Sequence, residues 1–497
     1  MANNDQSYRQ ILKATSLFGG VQVFSIIISV IRSKAIAVWL GPLGVGIIGL
    51  LTNSLKVIGE FTKLGIDVTA VREISIANEH EDTDRIPTIV TSLKKIVWVT
   101  GLFGMLVTII LSPFLSKIAF GNFEYTIAFI WISVSLFFNQ LSSGQLAILQ
   151  GLRKLKYLAK ANVYGNFLGL LIALPLYYFF RVDAIVPTII VTSVCGLLFS
   201  WFFSNKIKIE KKNITNSQAF KEGKQMLNLG FMLSLRGLIT LVTLYALQVF
   251  ISYFGGVDEV GFYAAGFVII NSYVGLIFNA MRTDYFPRLT AVVNNQKKME
   301  DVVFQQTTVA VLILTPIIIV FLTLAPFIIK VLYSKEFLVI EGMITWGMMA
   351  TLFQAISWSL GYVILAKGDS KLFITTSIVF NALFLAFNIS GYYLGGLKGL
   401  GIAYLLYYVL HFFLLILLTK KNYRINLKFN FFKLFMLCCI HCLFTFFVSI
   451  LVYDNIIRNF LMIIIIISSC LISLKELNKK VDLKKSLKDF FQRNKKN

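Results

Sequence analysis

The sequence predicts an all-α polytopic membrane protein, and three observations support this fold class. Hydrophobic residues make up 57% of the 497 residues and charged residues 14%, with a mean hydropathy of +0.77. Soluble domains are typically about 45–50% apolar and about 25% charged. Apolar segments of about 20 residues recur along the chain, and a helix of that length spans about 30 Å of hydrocarbon. Lys and Arg residues concentrate in alternate connections, as the positive-inside rule predicts.

About 14 transmembrane helices are expected, taken in order along the chain. The polar first ten residues and the length of the first apolar run argue against a cleavable signal peptide. The predicted spans begin near Ile11, Gly44, Thr91, Thr126, Tyr157, Ala184, Met226, Glu259, Val303, Ile340, Lys371, Gly399, Leu434 and Ile456.

The distribution of Lys and Arg predicts the orientation in the membrane. About 36 of these residues fall on one side of the predicted topology and about 6 on the other. The basic side receives the amino terminus, the connections 153–156, 206–224 and 420–424, and the tail after Lys475. Both termini are therefore expected in the cytoplasm. The positive-inside rule also accounts for the net charge of +23, so no nucleic-acid partner is expected.

Two six-helix lobes followed by two extra helices are expected. Two glycine-containing turns, LGPLGVG at 40–46 and FGGVDEVG at 254–261, each follow the first span of a predicted lobe. Equal orientation after six spans implies parallel repeats about an axis along the membrane normal, with the substrate passing between them. The predicted segments are an N-terminal lobe (1–208), a cytoplasmic linker (209–225), a C-terminal lobe (226–420), spans 13 and 14 (421–475) and a basic cytoplasmic tail (476–497).

A stripe of polar and charged residues runs through the second predicted span. Asn53, Lys56, Glu60, Lys63 and Asp67 follow one another at steps of three and four residues, which places them on one face of a helix. A charge at the bilayer centre costs at least ~2.5–3.5 kcal/mol, so this face is expected to line a polar interior. Lys56 and Lys63 are candidate substrate-binding cations, and Glu60 balances their charge or couples transport to an ion. The alternative is a neutralising network that only stabilises the bundle.

Four further cations are candidates for the same interior. Arg32 lies within the long first span, and Lys34 either binds substrate or extends to the outer interface. Arg236 occupies the corresponding span of the second predicted lobe. It would face Arg32 across a cavity or pair with a carboxylate such as Glu60. Arg282, at the inner end of the eighth span, would attract an anionic headgroup or simply anchor that end of the helix.

The sequence carries no signature of an enzyme, and one run that looks like a metal cluster is better explained by helix packing. No Walker A loop is present, so coupling to ATP is not expected. The run Cys438-Cys439-Ile440-His441-Cys442 lies inside a predicted span, where Cys packs as a small hydrophobic residue. We therefore expect neither a bound metal nor an organic cofactor.

Four segments carry a family resemblance: GPLGVG (41–46), DEVGFY (258–263), DYFPRL (284–289) and SWSLGYVILAKGDS (357–370). They resemble segments of the bacterial O-antigen and lipid III flippases of the multidrug/oligosaccharidyl-lipid/polysaccharide exporter superfamily. The order of the segments and the number of spans carry the resemblance over residues 1–420, and fourteen-span members of the superfamily have a similar extra pair of helices. Lys34 and Arg72 match basic positions of the family.

The resemblance implies a V-shaped bundle in the bacterial inner membrane, with a central cavity lined by cations. It implies that alternating access moves an undecaprenyl-pyrophosphate-linked oligosaccharide, an O-antigen or related unit, from the inner to the outer leaflet. Expected partners are this lipid, the bilayer, a polysaccharide polymerase and a chain-length regulator. Transport would be driven by H⁺ or Na⁺ coupling, or by the membrane potential acting on the anion, which contributes about 2.3 kcal/mol per charge per 100 mV.

Two other functions remain open at this point. A multidrug or metabolite exporter would use the same fold, but exporters of organic cations need an acidic interior, whereas cations predominate here. A polymerase or ligase of surface polysaccharide would need a catalytic site, commonly in a large external loop, and the predicted external loops are short.

Overall fold

The computed structural model describes residues 24–80, 82, 84–209, 215–452 and 454–480. A few side chains inside the helices, among them that of Arg282, lie outside the described part, as does the predicted beginning of the first span near Ile11. The regular elements in these ranges are helices joined by short connections. They are α1 (24–39), α2 (Gly41–Lys63), α3 (Ile66–Glu79), α4 (Arg85–Phe120), α5 (Thr126–Gly151), α6 (Leu155–Phe180), α7 (Ile185–Asn205), α8 (Asn216–Gly255), α9 (Val257–Ala291), α10 (Gln296–Leu332), α11 (Glu341–Ala366), α12 (Ser370–Tyr423), α13 (Phe429–Leu451) and α14 (Asn455–Lys480).

Ten segments of the described chain are long and apolar enough to cross a membrane. Two of them, Leu155–Asn205 with 51 residues and Ser370–Tyr423 with 54, exceed a single crossing. A short 3₁₀ turn at Arg181–Ala184 interrupts the first, and non-helical backbone at Gly395 and Gly396 interrupts the second. The predicted number of fourteen spans stays a prediction.

Backbone contacts divide the chain into two units. The first comprises Met1–Phe262 and Leu332–Glu336, and the second comprises Tyr263–Val331 and Phe337–Asn497. This grouping places α8 in the first unit, although the repeat-based prediction assigns it to the C-terminal lobe. The predicted lobe boundaries come from a sequence repeat, whereas these units come from contacts between residues. The contacts do not test the repeat, so the lobe boundaries stay a prediction.

The first unit is built around an apolar core that α3, α4 and α5 share. Ile66 and Ile74 pack with Leu93 and Ile148, all fully buried. Helix α8 packs against α2, α3 and α4. An ion pair joins the beginning of α8 to the beginning of α4. Arg85 Nη1 and Nη2 lie 2.7 and 3.0 Å from the two carboxylate oxygens of Glu222. Such a bidentate pair fixes orientation as well as charge.

The second unit contains the remainder of α9 and the helices that follow. Within it, α11 packs along α12. Within that interface Gln354 donates a hydrogen bond of 2.9 Å to the Tyr408 hydroxyl, and both residues are buried. The exposed apolar side chains of α13 and α14, including Phe447 and Ile464, are those expected of helices that face lipid.

A break separates α2 from α3 and divides the polar stripe. Leu64 and Gly65 both adopt left-handed backbone, with φ of 49° and 65°. At this point α2 and α8 approach closely: a Cβ added to Gly65 would lie 2.3 Å from the carbonyl oxygen of Gly230. Only glycine fits both requirements. The break leaves Lys63 at the end of α2 and Asp67 in the first turn of α3.

The two glycine-containing turns predicted as a repeat contact each other inside the first unit. A Cβ on Gly46 would lie 2.0 Å from the carbonyl oxygen of Val257, and a Cβ on Gly261 would lie 2.0 Å from that of Pro42. The same offset along the chain relates Pro42 to Val257 and Gly46 to Gly261. The contact is therefore reciprocal, as in an interface between symmetry-related copies. Glycine at both positions lets the beginnings of α2 and α9 cross backbone to backbone.

Gly46→Ala is expected to destabilise the protein, because its methyl group would overlap a backbone carbonyl that cannot rotate away. Overpacking of this kind typically costs about 1–3 kcal/mol. The matched control is Gly237→Ala in α8, where an added Cβ has open space, and which should be neutral or slightly stabilising. Thermal unfolding of the purified variants in detergent measures both effects. Equal melting temperatures for the two variants would contradict the crossing.

Candidate substrate-binding cavity

The first unit encloses a cavity of about 620 Å³. Side chains from α1, α2, α5, α6 and α7, with one residue of α8, form its wall. The lining residues are Arg32, Ile36, Ile48, Thr52, Leu55, Lys56, Gly59, Glu60, Lys63, Leu136, Asn139, Gln140, Ser143, Gly165, Asn166, Tyr177, Thr188, Ile189, Thr192, Ser193 and Leu241. Three of them are cations and one is a carboxylate, so the wall formed by the described residues is net positive.

Arg32 of α1 is a half-buried cation of this wall. Its Nε is buried without a hydrogen-bond partner. Among the described residues no carboxylate oxygen lies within 4.0 Å of its guanidinium. A planar guanidinium donates in pairs to carboxylate or phosphate oxygens. Arg32 therefore presents unused donor capacity to the cavity.

Lys56 of α2 is the second cation of the cavity wall. Among the described residues, no carboxylate oxygen lies within 4.0 Å of its ammonium group, so its charge is not neutralised. Its Nζ donates a hydrogen bond of 3.0 Å to Asn53 Oδ1. Asn53 in turn donates from Nδ2 to Oε1 of Gln248 in α8, at 2.8 Å. The amide of Asn53 therefore orients Lys56 without cancelling its charge, and the ammonium keeps two further donors for a ligand.

Lys63 differs from the other two cations because two carboxylates hold it. Its Nζ lies 2.7 Å from Glu60 Oε2 and 3.2 Å from Asp67 Oδ2. Asp67 also accepts a hydrogen bond of 3.3 Å from the Ser143 hydroxyl of α5. The three charged side chains are only 19–25% exposed. This arrangement joins α2, α3 and α5, and it carries one positive and two negative charges.

The part of the wall formed by α5, α6 and α7 contains polar but uncharged side chains. Asn139 of α5, Asn166 of α6, and Thr192 and Ser193 of α7 contribute amides and hydroxyls. Gln140 also lines the cavity, and its amide donates to the Thr100 hydroxyl of α4 at 3.1 Å. The cavity thus combines a cationic wall on α1 and α2 with a neutral hydrogen-bonding wall on α5, α6 and α7.

Two of the predicted site residues, Lys34 and Arg236, are not among the described residues that form this cavity wall. Lys34 donates a hydrogen bond to the carbonyl oxygen of Tyr333, just after the end of α10. A lysine at the end of a helix stabilises the last carbonyl groups and the negative end of the helix dipole. Arg236 is exposed on α8 and does not line the cavity. The side chain of Arg282 lies outside the described residues. The structure brings together Arg32, Lys56, Glu60 and Lys63.

Several lining residues were not singled out from the sequence. Tyr177, Asn166 and Thr192 lie on α6 and α7, which read from the sequence as ordinary apolar spans. Asn166 did carry a signal, because an amide in a membrane span is costly unless it faces a polar interior or another helix. Tyr177 carried none, since aromatic residues are frequent throughout the spans.

The cysteine-rich run of α13 packs as part of the second unit. Cys438 and Cys442 are buried, and His441 Nδ1 lies 2.8 Å from the Leu437 carbonyl oxygen of its own helix. In the ranges that the structure describes, no group of three or more His, Cys, Asp or Glu residues could hold a metal ion.

Comparison with known proteins places the chain in a family. The model of the family described as "Polysaccharide biosynthesis protein" matches residues 22–341. The chain belongs to this family. A curated relative, "Putative O-antigen transporter" of Shigella flexneri, is 25% identical over 309 residues, which are 60% of this chain and 71% of the relative. The resemblance to polysaccharide flippases predicted from the sequence is confirmed by this family and this relative.

Solved structures identify the fold. The lipid II flippase MurJ in an inward closed conformation aligns with 93% of this chain and 99% of its own, with a TM-score of 0.68 and 15% identity. An inward-facing multidrug resistance MATE transporter of the MOP superfamily aligns with 81% of this chain and 99% of its own, with a TM-score of 0.61 and 16% identity. The predicted fold class, an all-helical multi-pass membrane protein, is confirmed, and these two solved structures share the fold.

Proposed function

We propose that the protein flips an undecaprenyl-pyrophosphate-linked oligosaccharide, an O-antigen or related surface polysaccharide unit, from the inner to the outer leaflet of the bacterial inner membrane. The cavity of the first unit would receive the headgroup during alternating access. The observation that carries the proposal is the pair of cations, Arg32 and Lys56, that no described carboxylate neutralises. The family and its O-antigen relative support the class of cargo.

The chemistry of the cavity suits a pyrophosphate better than a neutral or cationic solute. Arginine binds phosphate oxygens through paired donors, and lysine acts as a point charge. Burial of the headgroup would strengthen both contacts, because the interior screens charge less than water does. The neutral wall would face the sugars, whose hydroxyl groups need hydrogen-bond partners but no charge.

We propose that the membrane potential drives the transfer. An inside-negative potential favours outward movement of an anion by about 2.3 kcal/mol per charge per 100 mV. Glu60 lies 2.7 Å from Lys63 and would serve to balance its charge. Proton or Na⁺ coupling through Glu60 is the alternative. If the membrane potential drives transport, the Glu60→Gln variant in proteoliposomes should still respond to an imposed potential. If transport by wild type depends on an ion gradient and transport by the variant does not, ion coupling through Glu60 is favoured instead.

The proposed orientation has both termini in the cytoplasm, supported by the distribution of Lys and Arg. Reporter fusions at the two ends would test it, and an external amino or carboxyl terminus would refute it. A polysaccharide polymerase and a chain-length regulator would act on the product at the outer face. Crosslinking in cells would show whether either enzyme contacts this chain.

The proposed function is testable in cells that lack the chain. Lipid-linked oligosaccharide should accumulate and surface polysaccharide should be lost, and expression of the chain should restore the surface polymer. Normal surface polymer in the deletion strain, with no other flippase expressed, would contradict the proposal.

A multidrug exporter is the second candidate, because MATE transporters share the fold. The described cavity wall holds three cations and one carboxylate, which disfavours a cationic drug. Export of a cationic dye that Glu60→Gln abolishes would support this second function over the first.

A further inference from the structure

Two amides of the neutral wall, Asn139 of α5 and Asn166 of α6, differ from Gln140 and Ser143 of the same wall. Both line the cavity and are exposed. Neither makes a hydrogen bond within the described part of the structure. Gln140 and Ser143 line the same cavity but are engaged, with Thr100 at 3.1 Å and with Asp67 at 3.3 Å. The engaged pair holds helices together, whereas Asn139 and Asn166 remain available.

An unengaged amide midway along a helix of membrane-spanning length needs a reason other than packing. Polar groups inside membrane spans are rare and usually face a neighbouring helix or a watered cavity. Each side-chain amide offers two N–H donors and a carbonyl acceptor. It therefore matches the hydroxyl and N-acetyl groups of a sugar, which both donate and accept hydrogen bonds. It adds no charge with which to bind a phosphate.

The two kinds of group also lie on different helices. The unneutralised cations are on α1 and α2, and the unengaged amides are on α5 and α6. A headgroup has the same division, since its diphosphate carries the charge and its sugars carry the hydroxyls. A headgroup with its diphosphate on the cationic wall would present its first sugars to the amides.

We propose that Asn139 and Asn166 form a sugar subsite that recognises the uncharged hydroxyl or N-acetyl groups of the sugars nearest the diphosphate. This inference rests on the proposed function. Selection would arise because a lipid without matching groups would leave the amides unpaired when it displaces water from them. Sites that hydrogen-bond a substrate hydroxyl discriminate strongly for this reason.

The test compares two lipid probes on purified, full-length protein. One probe is undecaprenyl diphosphate without sugar, and the other carries a single N-acetylhexosamine. The test variants are Asn139→Leu and Asn166→Leu, which keep the side-chain size and remove the amide. The control is Asn381→Leu in α12, because within the described residues the Asn381 amide donates only to the Ser377 carbonyl of its own helix. Native mass spectrometry measures the affinities, and melting temperature reports folding.

Each test variant should bind the sugar-bearing probe about 10-fold or more weakly than wild type does, and should bind the bare diphosphate unchanged. The control should bind both probes like wild type. Unchanged affinity for the sugar-bearing probe, or an equal loss for both probes, would overturn the subsite. If wild type binds neither probe, the proposed function fails and the subsite fails with it. Where a leucine variant does not fold, Asn139→Ala and Asn166→Ala replace it.

Discussion

Replacing Arg32 and Lys56 together by glutamine should abolish translocation while leaving the protein folded. Both side chains line the cavity, and neither has a described carboxylate partner. Their removal therefore takes charge from the headgroup site without leaving an unpaired acid behind. A hydrogen bond to a charged group contributes about 1.5–3 kcal/mol, so two such contacts to the diphosphate correspond to about 10²–10⁴-fold in binding. Surface polysaccharide in a deletion strain, normalised to the amount of protein in the membrane, measures the effect.

The matched control for this double variant is Lys154→Gln. Lys154 is an exposed cation in the connection between α5 and α6, away from the cavity wall. The Lys154→Gln substitution removes a positive charge from the same unit and should leave transport near the wild-type level. Normal surface polymer with the double variant, or an equal loss with the control, would contradict the assignment of Arg32 and Lys56.

Lys63→Met is expected to destabilise the protein rather than only to weaken transport. It would leave Glu60 and Asp67, whose side chains are 19% and 25% exposed, without the ammonium that lies between them. Removing one partner of a buried pair costs about 3–5 kcal/mol, and the partial exposure here reduces this to about 1–3 kcal/mol. The melting temperature of the purified variant measures the loss.

A second variant separates a structural role of Lys63 from substrate binding. Combining Lys63→Met with Glu60→Gln and Asp67→Asn removes all three charges, so no acid remains unpaired. This triple variant should recover most of the lost stability and retain transport. A Lys63→Met variant as stable as wild type but inactive would instead make Lys63 a third headgroup cation.

The sequence predicted the helices better than the contacts between them. A start near Thr126 for the fourth span coincides with the first residue of α5, because the break in hydropathy is local. The division of the polar stripe at Leu64 and Gly65 was not predictable. Single glycines are common in the apolar segments of membrane helices. The close approach that requires glycine at position 65 is made by Gly230 of α8, which lies far along the chain.

The candidate site shows the same limit. The periodicity of Lys56, Glu60 and Lys63 predicted a shared polar face, but it did not indicate which cation the carboxylate holds. The spacing allowed Glu60 to pair with Lys56 or with Lys63. In the structure Lys63 lies between two carboxylates, Glu60 and, beyond the break, Asp67. Lys34 was equally ambiguous, since its partner, the Tyr333 carbonyl, lies far along the chain.

The most direct measurement is translocation by the purified protein in proteoliposomes. Undecaprenyl-diphosphate oligosaccharide is placed in one leaflet, and an added enzyme that modifies only exposed sugars reports its arrival in the other. Wild type should move the lipid, and the Arg32→Gln/Lys56→Gln variant should move it no faster than protein-free vesicles. Equal transfer by wild type and the double variant would contradict the cationic headgroup site, and no transfer by wild type above protein-free vesicles would contradict the flippase function itself.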